Sequence, residues 1–485
     1  MAAAEVRPLT VVEALVPVAF GGLFLGASFL LFGADATKGP LQTAVICATV
    51  VAMLVGRRAG HAFAAMREAA LAGLASGFGT MAVLFAVGAL LGTWAMSGTL
   101  LALGYYLLQV LTPDLLFLTS AVIAALVGFA IASAWTTVST VGICMVGIAL
   151  QVGVDPAITA GAVISGAYFG DKLSPLSKKS ALAAAVAGVD PATHRREALW
   201  TSIPAFALTL LVFWWLGEPA SRDAAVTAAL LDAELQIRPL LLLPLAVVIV
   251  LGVVGLPPFM TMFTGALVGG VVAMILKTEF VLGFAGLDGP VSLGLLKGLW
   301  QAMATGYVST TGNATLDSFL GRGGMAYMLD TIWLIAAALA FGGVVERVGL
   351  LHRLFEPVIA AVRSPGGLVT TTVAAAFTTN VLTADQQTGT HLAEQILKPA
   401  FAARGIQPVV LSRAAADSAG VSSPLIPWNS CGAYLAAALG INTITYAPWV
   451  LFAFFSPALT ILFAWAGLRM LRQPQTGPLG RAQLS

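Results

Sequence analysis

The chain has 485 residues, of which 59% are hydrophobic and only 9% are charged, and its mean hydropathy is +0.93. This composition leaves too little polar surface for a water-soluble protein of this length, so it predicts a polytopic membrane protein surrounded by lipid. The formal net charge of +2 gives no sign of nucleic-acid binding. The three cysteines lie in apolar segments without a C-x-x-C pair, which argues against a disulfide framework or a metal centre.

Apolar stretches long enough to cross a bilayer follow one another along the chain. Clear examples are 10–33, 200–216, 239–256, 327–345 and 443–468. Because roughly 20 apolar residues cross the hydrocarbon core as a helix, we expect an all-α protein with about 10 to 12 spans.

Basic residues beside the apolar stretches predict how the chain is oriented, since positively charged loops tend to stay in the cytoplasm. The basic groups are Arg57, Arg58 and Arg67, and near the C-terminus Arg469, Arg472 and Arg481. The longest polar stretch, 217–238, has more acidic than basic residues and is therefore predicted to be an external linker. Both termini are predicted to be cytoplasmic. The expected units are a first transmembrane repeat at 10–217, the external linker at 218–238, a second transmembrane repeat at 239–472 and a cytoplasmic tail at 473–485.

A half that begins inside and ends outside must be followed by a half that runs the other way, so the two repeats are expected to have inverted topology. The tripeptide Ser174-Pro175-Leu176 recurs at Ser423-Pro424-Leu425, an offset of 423 − 174 = 249 positions. Similar motifs also lie before and after each copy in the same order, which favours duplication over chance.

Polar segments at membrane depth are tolerated where they line a cavity or are buried in protein. The polar islands 133–140 and 378–390 are therefore predicted to be tips of re-entrant hairpins. Pro175 and Pro424 are predicted to interrupt helices and to free carbonyl oxygens that could hold a cation.

Three carboxylates lie beside these interruptions: Asp171, Asp385 and Asp417. A charge at bilayer depth costs several kcal/mol or more unless it is paired or hydrated, so each is a candidate functional residue. Hard cations such as Na⁺ prefer oxygen ligands, and competition of Na⁺ and H⁺ for one carboxylate is the simplest basis for antiport. Lys172 and Lys179 are instead expected to reach the membrane interface with their long side chains.

Five motifs, "GAYFGDKLSPLS", "LGTWAMSGTL", "RGGMAYM", "NVLTADQ" and "LSRAAADSAGVSSPLIPWNSCGAY", together resemble the NhaC family of Na⁺/H⁺ antiporters within the ion transporter superfamily. The resemblance implies a secondary transporter, not an enzyme, in the bacterial cytoplasmic membrane, with a small cation and H⁺ as transported partners and no cofactor. Some relatives exchange organic acids such as malate and lactate, and a homodimer stays open. The binding residues carried over are Asp171, Ser174, Asn380, Asp385, Asp417, Ser423, Trp428 and Asn429.

The chain departs from the family where "SPLSDTTN" is replaced by "SPLSKKSA". Lys178 follows Asp171 by seven residues, about two helical turns, so we expect it to face Asp171 as a tethered surrogate for the cation. The alternative is that Lys178 and Lys179 anchor the helix at the cytoplasmic interface. The main functional hypothesis is Na⁺/H⁺ antiport. The alternative is proton-coupled, Na⁺-independent transport of an organic anion or amino acid.

Overall fold

The computed structural model describes residues 6–110, 112–217, 238–308, 317, 320, 321 and 323–472. Within these residues the protein is helical, apart from one isolated bridge between Ile406 and Arg472. The predicted all-α class of a polytopic membrane protein is thereby confirmed. Most of the predicted external linker (218–237) and the predicted tail (473–485) lie outside the described residues.

Eleven α-helices of the first half are described. They are Val11–Phe32, Pro40–Arg58, Phe63–Ser76, Phe78–Ser97, Thr99–Val110, Leu116–Ile131, Ala134–Thr137, Ile143–Val152, Pro156–Leu173, Lys178–Ala187 and Pro191–Trp215. The described helices of the second half are Leu243–Val254, Pro258–Leu276, Thr278–Ala285, Val291–Thr305, Leu329–Arg347, Leu350–Ala361, Pro365–Thr383, Gln386–Ala403, Pro408–Ser422, Ser430–Leu439, Thr443–Tyr446 and Leu451–Trp465.

Of the described helices, seven are long and apolar enough to cross a membrane, or up to eight if each bent pair counts as one span. This is fewer than the about 10 to 12 spans expected from apolar runs. The difference arises because several apolar segments are short or interrupted. Leu116–Ile131 has only 16 residues and Ser430–Leu439 only 10.

Two helical hairpins occupy corresponding places in the two halves. In the first hairpin, Leu116–Ile131 meets Ala134–Val152 at Ala132; the latter is continuous through a π-helical segment at Val138–Gly142. In the second hairpin, Pro365–Thr383 and Gln386–Ala403 meet at Ala384. Both alanines have a φ of 56°, a left-handed conformation that a residue with a side chain seldom adopts. Their separation is 384 − 132 = 252 positions, so the two tips share one backbone geometry.

An interrupted helix follows each hairpin. The first consists of Pro156–Leu173 and Lys178–Ala187, and the second of Pro408–Ser422 and Ser430–Leu439. Both C-terminal segments have 10 residues and end at a left-handed glycine, Gly188 and Gly440, again 440 − 188 = 252 positions apart. These matches support duplicated halves, whereas their opposite orientation in a membrane stays a prediction.

The first hairpin packs tightly against the first interrupted helix through glycines. A methyl group at Gly166 would overlap the carbonyl oxygen of Ala121, and one at Gly128 would lie 2.9 Å from the carbonyl oxygen of Ala167. The close approach of these helices fixes the hairpin tip beside the end of Pro156–Leu173, where Asp171 lies.

We expect Gly166→Ala to lower the free energy of unfolding by about 1–3 kcal/mol, because the added methyl group must push two backbones apart. Thermal unfolding of the purified protein in detergent measures the loss. Gly22→Ala is the matched control, since a methyl group there meets no atom within 4 Å. Equal melting temperatures for the two variants would contradict the close packing.

Candidate functional site

A cavity of about 50 Å³ lies between the first interrupted helix, the second hairpin and the helix Pro408–Ser422. It has room for a few water-sized species. Its polar lining includes Asp171, Lys172, Lys179, Gln386 and Glu394. Side chains from both halves of the chain thus meet at one cavity, as the inverted-repeat prediction requires of a transport site.

Asp171 is buried and joins the first interrupted helix to the tip of the first hairpin. Its Oδ1 accepts a hydrogen bond from Ser177 Oγ at 2.8 Å, and its Oδ2 accepts one from the backbone N of Ala134 at 3.2 Å. Lys179 Nζ lies 3.2 Å from Oδ2. The carboxylate therefore has one ammonium partner and two neutral donors.

The Lys179 ammonium occupies a cation-binding position. Besides Asp171, it faces the rings of Trp135 and Tyr168, with Nζ 5.8 Å and 5.6 Å from the two ring centroids. Aromatic faces attract cations at these distances. A carboxylate and two rings together form a site for one monovalent cation, and in this structure the cation is Lys179.

The structure corrects the expectation that Lys178 faces Asp171. Lys178 is exposed, and Lys179 makes the ion pair. The physical reason is the helix start: the Ser177 side chain caps the helix that begins at Lys178, by accepting from the backbone N of Ser180. The cap sets the register so that the second residue of the helix turns toward Asp171. Lys179 therefore does not act as an interfacial anchor, contrary to the expectation above.

Asp417 is fully buried and is held by four side chains. Lys172 Nζ donates to Oδ1, and Ser456 Oγ donates to the same oxygen at 3.2 Å. Thr201 donates to Oδ2 at 2.8 Å, and Thr460 donates to it as well. The expectation that Lys172 reaches the interface is therefore wrong, because this lysine is buried in an ion pair that links the two halves.

The amide residues predicted for the site lie together in the second half. Asn429 Nδ2 donates to Asn380 Oδ1 at 2.8 Å, and Asn380 Nδ2 donates to the carbonyl of Ala419 at 3.1 Å. Trp428 Nε1 donates to the carbonyl of Val381 at 2.9 Å. These bonds connect the second hairpin to the break in the second interrupted helix.

Asp385 begins the second helix of the second hairpin. Its Oδ1 accepts from the backbone N of Thr388 at 2.8 Å, and its Oδ2 lies 3.5 Å from Ser430 Oγ. The three predicted metal ligands Asp171, Asp385 and Asp417 thus have separate partners. The described residues contain no group of three or more acidic, histidine or cysteine side chains that could hold a metal ion.

The two predicted serines differ. Ser174 Oγ accepts from the backbone N of Leu176 at 3.3 Å, which shapes the break after Asp171. Ser423 Oγ is buried and makes no hydrogen bond to any described residue, as is also true of the Tyr168 hydroxyl. These hydroxyl groups face each other across the two halves near Cys431.

The helix breaks at Pro175 and Pro424 were predicted to free carbonyl oxygens for a cation. In the structure, some of these carbonyl groups instead accept hydrogen bonds from side chains. Ser180 Oγ donates to the carbonyl of Lys172 at 2.6 Å, and the Tyr446 hydroxyl donates to the carbonyl of Pro424 at 3.0 Å. Buried carbonyl groups need such partners. The side chains around Lys179 are therefore a better cation site than the broken backbone.

Sequence reasoning missed three contributors to this site: the aromatic pair Trp135 and Tyr168, and the buried Glu394. Trp135 lies inside the polar island "SAWTTVST", and an aromatic ring in a predicted hairpin tip was the available signal. No local signal marks Glu394, because its burial depends on helices that are distant in sequence.

Comparison of the sequence with known proteins places the chain in a family. A family model described as the Na⁺/H⁺ antiporter family matches residues 3–196 and 166–468. The Na⁺/H⁺ antiporter NhaC of Alkalihalophilus pseudofirmus is 32% identical over 428 residues, which cover 87% of this chain and 89% of the relative.

Two further relatives carry other names. The malate-2H⁺/Na⁺-lactate antiporter of Bacillus subtilis is 30% identical over 474 residues, 96% of each chain. The arginine/ornithine antiporter ArcD of Halobacterium salinarum is 29% identical over 475 residues, 96% of this chain and 94% of the relative. The chain belongs to the Na⁺/H⁺ antiporter family of NhaC and is a multi-pass membrane protein built for secondary antiport.

Proposed function

We propose that the protein exchanges Na⁺ for H⁺ across the bacterial cytoplasmic membrane, and that Na⁺ competes with the Lys179 ammonium for Asp171. The observation that carries this proposal is the 3.2 Å ion pair between Lys179 and Asp171 at the cavity. A tethered cation that already occupies a carboxylate must leave or lose its proton before another cation can bind.

The proposed exchange balances in charge and in protons with Asp171, Lys179 and Na⁺ as the only participants. Asp171 carboxylate, Lys179 ammonium and Na⁺ give Asp171 carboxylate with bound Na⁺, neutral Lys179 and a released H⁺. Two unit positive charges about 4 Å apart repel each other by roughly 4 kcal/mol at an effective dielectric constant of 20. This energy is far above RT, so the two cations exclude each other at Asp171, and a Lys179 side chain that stays at the site must release its proton when Na⁺ binds.

The parts around the pair have supporting roles in this scheme. The Ser177 hydroxyl, which bonds Asp171 at 2.8 Å, supplies a second oxygen for Na⁺. Trp135 and Tyr168 shield the cation from the apolar interior. Alternating access follows from rocking of the two halves around the cavity, with both termini in the cytoplasm.

Proton-coupled transport of an organic anion or amino acid is the second candidate. Two ammonium groups, Lys172 and Lys179, line the cavity beside the amides of Gln386 and Gln387. Such groups bind carboxylates. The cavity volume of about 50 Å³ is nevertheless far below the roughly 300–1,000 Å³ typical of small-molecule pockets, so the geometry favours an ion.

The proposal is tested by Na⁺-driven proton movement in proteoliposomes that contain an internal pH dye. We expect Lys179→Ala to reduce the coupled flux at least about tenfold, a loss of roughly 1.4 kcal/mol or more. Lys178→Ala is the matched control on the same helical turn, and its exposed side chain predicts little change. Equal fluxes in the two variants would refute the role of Lys179. A wild-type protein that responds to malate, lactate or arginine but not to Na⁺ would select the second candidate.

A further inference from the structure

Glu394 is a fully buried carboxyl group that the exchange scheme does not use. It lies on Gln386–Ala403, the second helix of the second hairpin, and lines the same cavity as Asp171 and Lys179. Neither of its carboxyl oxygens accepts a hydrogen bond from any described residue. A buried carboxyl group without a close hydrogen bond at this cavity calls for another role.

The surroundings of Glu394 place it between the cavity and an exposed end of the protein. His391, one turn earlier on the same helix, also lines the cavity. Lys398, one turn later, is exposed, and its Nζ donates to the carbonyl of Val186 at 3.2 Å. Carboxyl, imidazole and cavity thus follow one helix face, and the carboxyl lies one turn from the exposed Lys398.

Charged and titratable groups from the neighbouring helices complete this environment. Lys172, Lys179 and Asp171 of the first interrupted helix line the cavity with Glu394. From Pro408–Ser422, the Ser412 hydroxyl comes near Glu394 but bonds the carbonyl of Ala183 at 3.2 Å and His194 Nδ1 at 2.8 Å. The Ser412 hydroxyl is a neutral donor that is shared with other acceptors, and the Lys398 ammonium is exposed. An ionised Glu394 therefore has little compensation for its burial, so the site accommodates its protonated form.

We propose that Glu394 is the proton-carrying group that links Lys179 with the aqueous face on the Lys398 side; this inference rests on the proposed function. In the step, the O–H bond of the Glu394 carboxyl breaks and an N–H bond forms on neutral Lys179. The products are a Glu394 carboxylate and a Lys179 ammonium, which pairs with Asp171 and expels Na⁺. The Glu394 carboxylate then takes up an H⁺ from the aqueous phase on the Lys398 side, and His391 and cavity water complete the path.

The first test reads protonation directly and needs no transport. Infrared difference spectra of the purified protein in lipid are recorded across a pH change without Na⁺. We expect a band of a protonated carboxyl group that disappears in Glu394→Gln and persists in Glu356→Gln, a matched change at an exposed glutamate. The same spectrum in wild type and Glu394→Gln would overturn the proposal.

The second test separates proton coupling from ion binding. We expect Glu394→Gln to lower Na⁺-driven proton flux at least about tenfold, while exchange of ²²Na⁺ for Na⁺ at equal pH stays near the wild-type rate. Glu394→Asp should recover part of the flux. Unchanged proton flux in Glu394→Gln would overturn the inference. A wild type without any Na⁺ exchange would instead refute the proposed function, and the infrared band would then decide whether Glu394 carries a proton.

Discussion

Asp417→Asn is expected to lower the free energy of unfolding by about 3–5 kcal/mol, because it leaves the Lys172 ammonium buried without its counter-ion. Lys172 is only 8% exposed at its side chain and Asp417 is fully buried. Asparagine keeps an oxygen for the hydroxyl of Thr201 or Thr460 but supplies no charge. Chemical denaturation in mixed micelles, or the melting temperature in detergent, measures the loss.

The control for this prediction removes both charges at once. Lys172→Met combined with Asp417→Asn leaves no uncompensated ion, so it should recover most of the stability lost in Asp417→Asn alone. If Asp417→Asn were as stable as the wild type, the buried pair would not hold the two halves together. A double variant no more stable than Asp417→Asn would show that the hydroxyl contacts, and not the charge, dominate.

The overall class and the positions of the breaks were predictable from sequence. The first hairpin tip, Ala132, lies just before the first polar island, and the second tip, Ala384, lies inside the second island. The residue after each tip, Ser133 or Asp385, caps the following helix. Polar capping residues in apolar surroundings are a local signal, so a pattern reveals them. The prolines of the two SPL motifs likewise lie at the observed interruptions.

The partners of the lysines could not be predicted, because they depend on helix register and on contacts distant in sequence. Lys172 finds Asp417, which lies 245 positions away. The choice between Lys178 and Lys179 depends on one residue of register set by the Ser177 cap. A rotation of about 100° per residue decides which of two adjacent lysines faces the carboxylate, and composition does not contain this information.

The comparison of the two halves shows how their sequences differ at the proposed exchange site. Ser177 and Asn429 cap corresponding helices, 429 − 177 = 252 positions apart. At the same offset, Lys179 corresponds to Cys431, a buried neutral side chain. The capped helix after each break is therefore duplicated, whereas the ammonium at this position is present in the first half and replaced by Cys431 in the second. The second half contributes Glu394 to the cavity. Its Asn380 and Asn429 are hydrogen-bonded to each other beside the second helix break.

Asp171→Asn is expected to abolish coupled transport, with at least about a hundredfold loss, because it removes the charge for which Na⁺ and Lys179 compete; two orders of magnitude correspond to roughly 2.7 kcal/mol of lost cation binding. Proteoliposome assays of Na⁺-driven proton flux measure the loss. Asp155→Asn is the matched control on the same helix, since asparagine caps a helix start about as well as aspartate does.

Stability must be measured with transport, because Asp171 also accepts hydrogen bonds from Ser177 and the backbone of Ala134. Asparagine retains one acceptor oxygen, and Lys179 is only partly buried at 29% side-chain exposure, so its ammonium can turn toward water when the carboxylate is lost. We therefore expect a smaller loss of stability than for Asp417→Asn, together with a larger loss of flux. The opposite order, a destabilised but active Asp171→Asn protein, would assign Asp171 a structural role and would move the exchange site to another carboxylate.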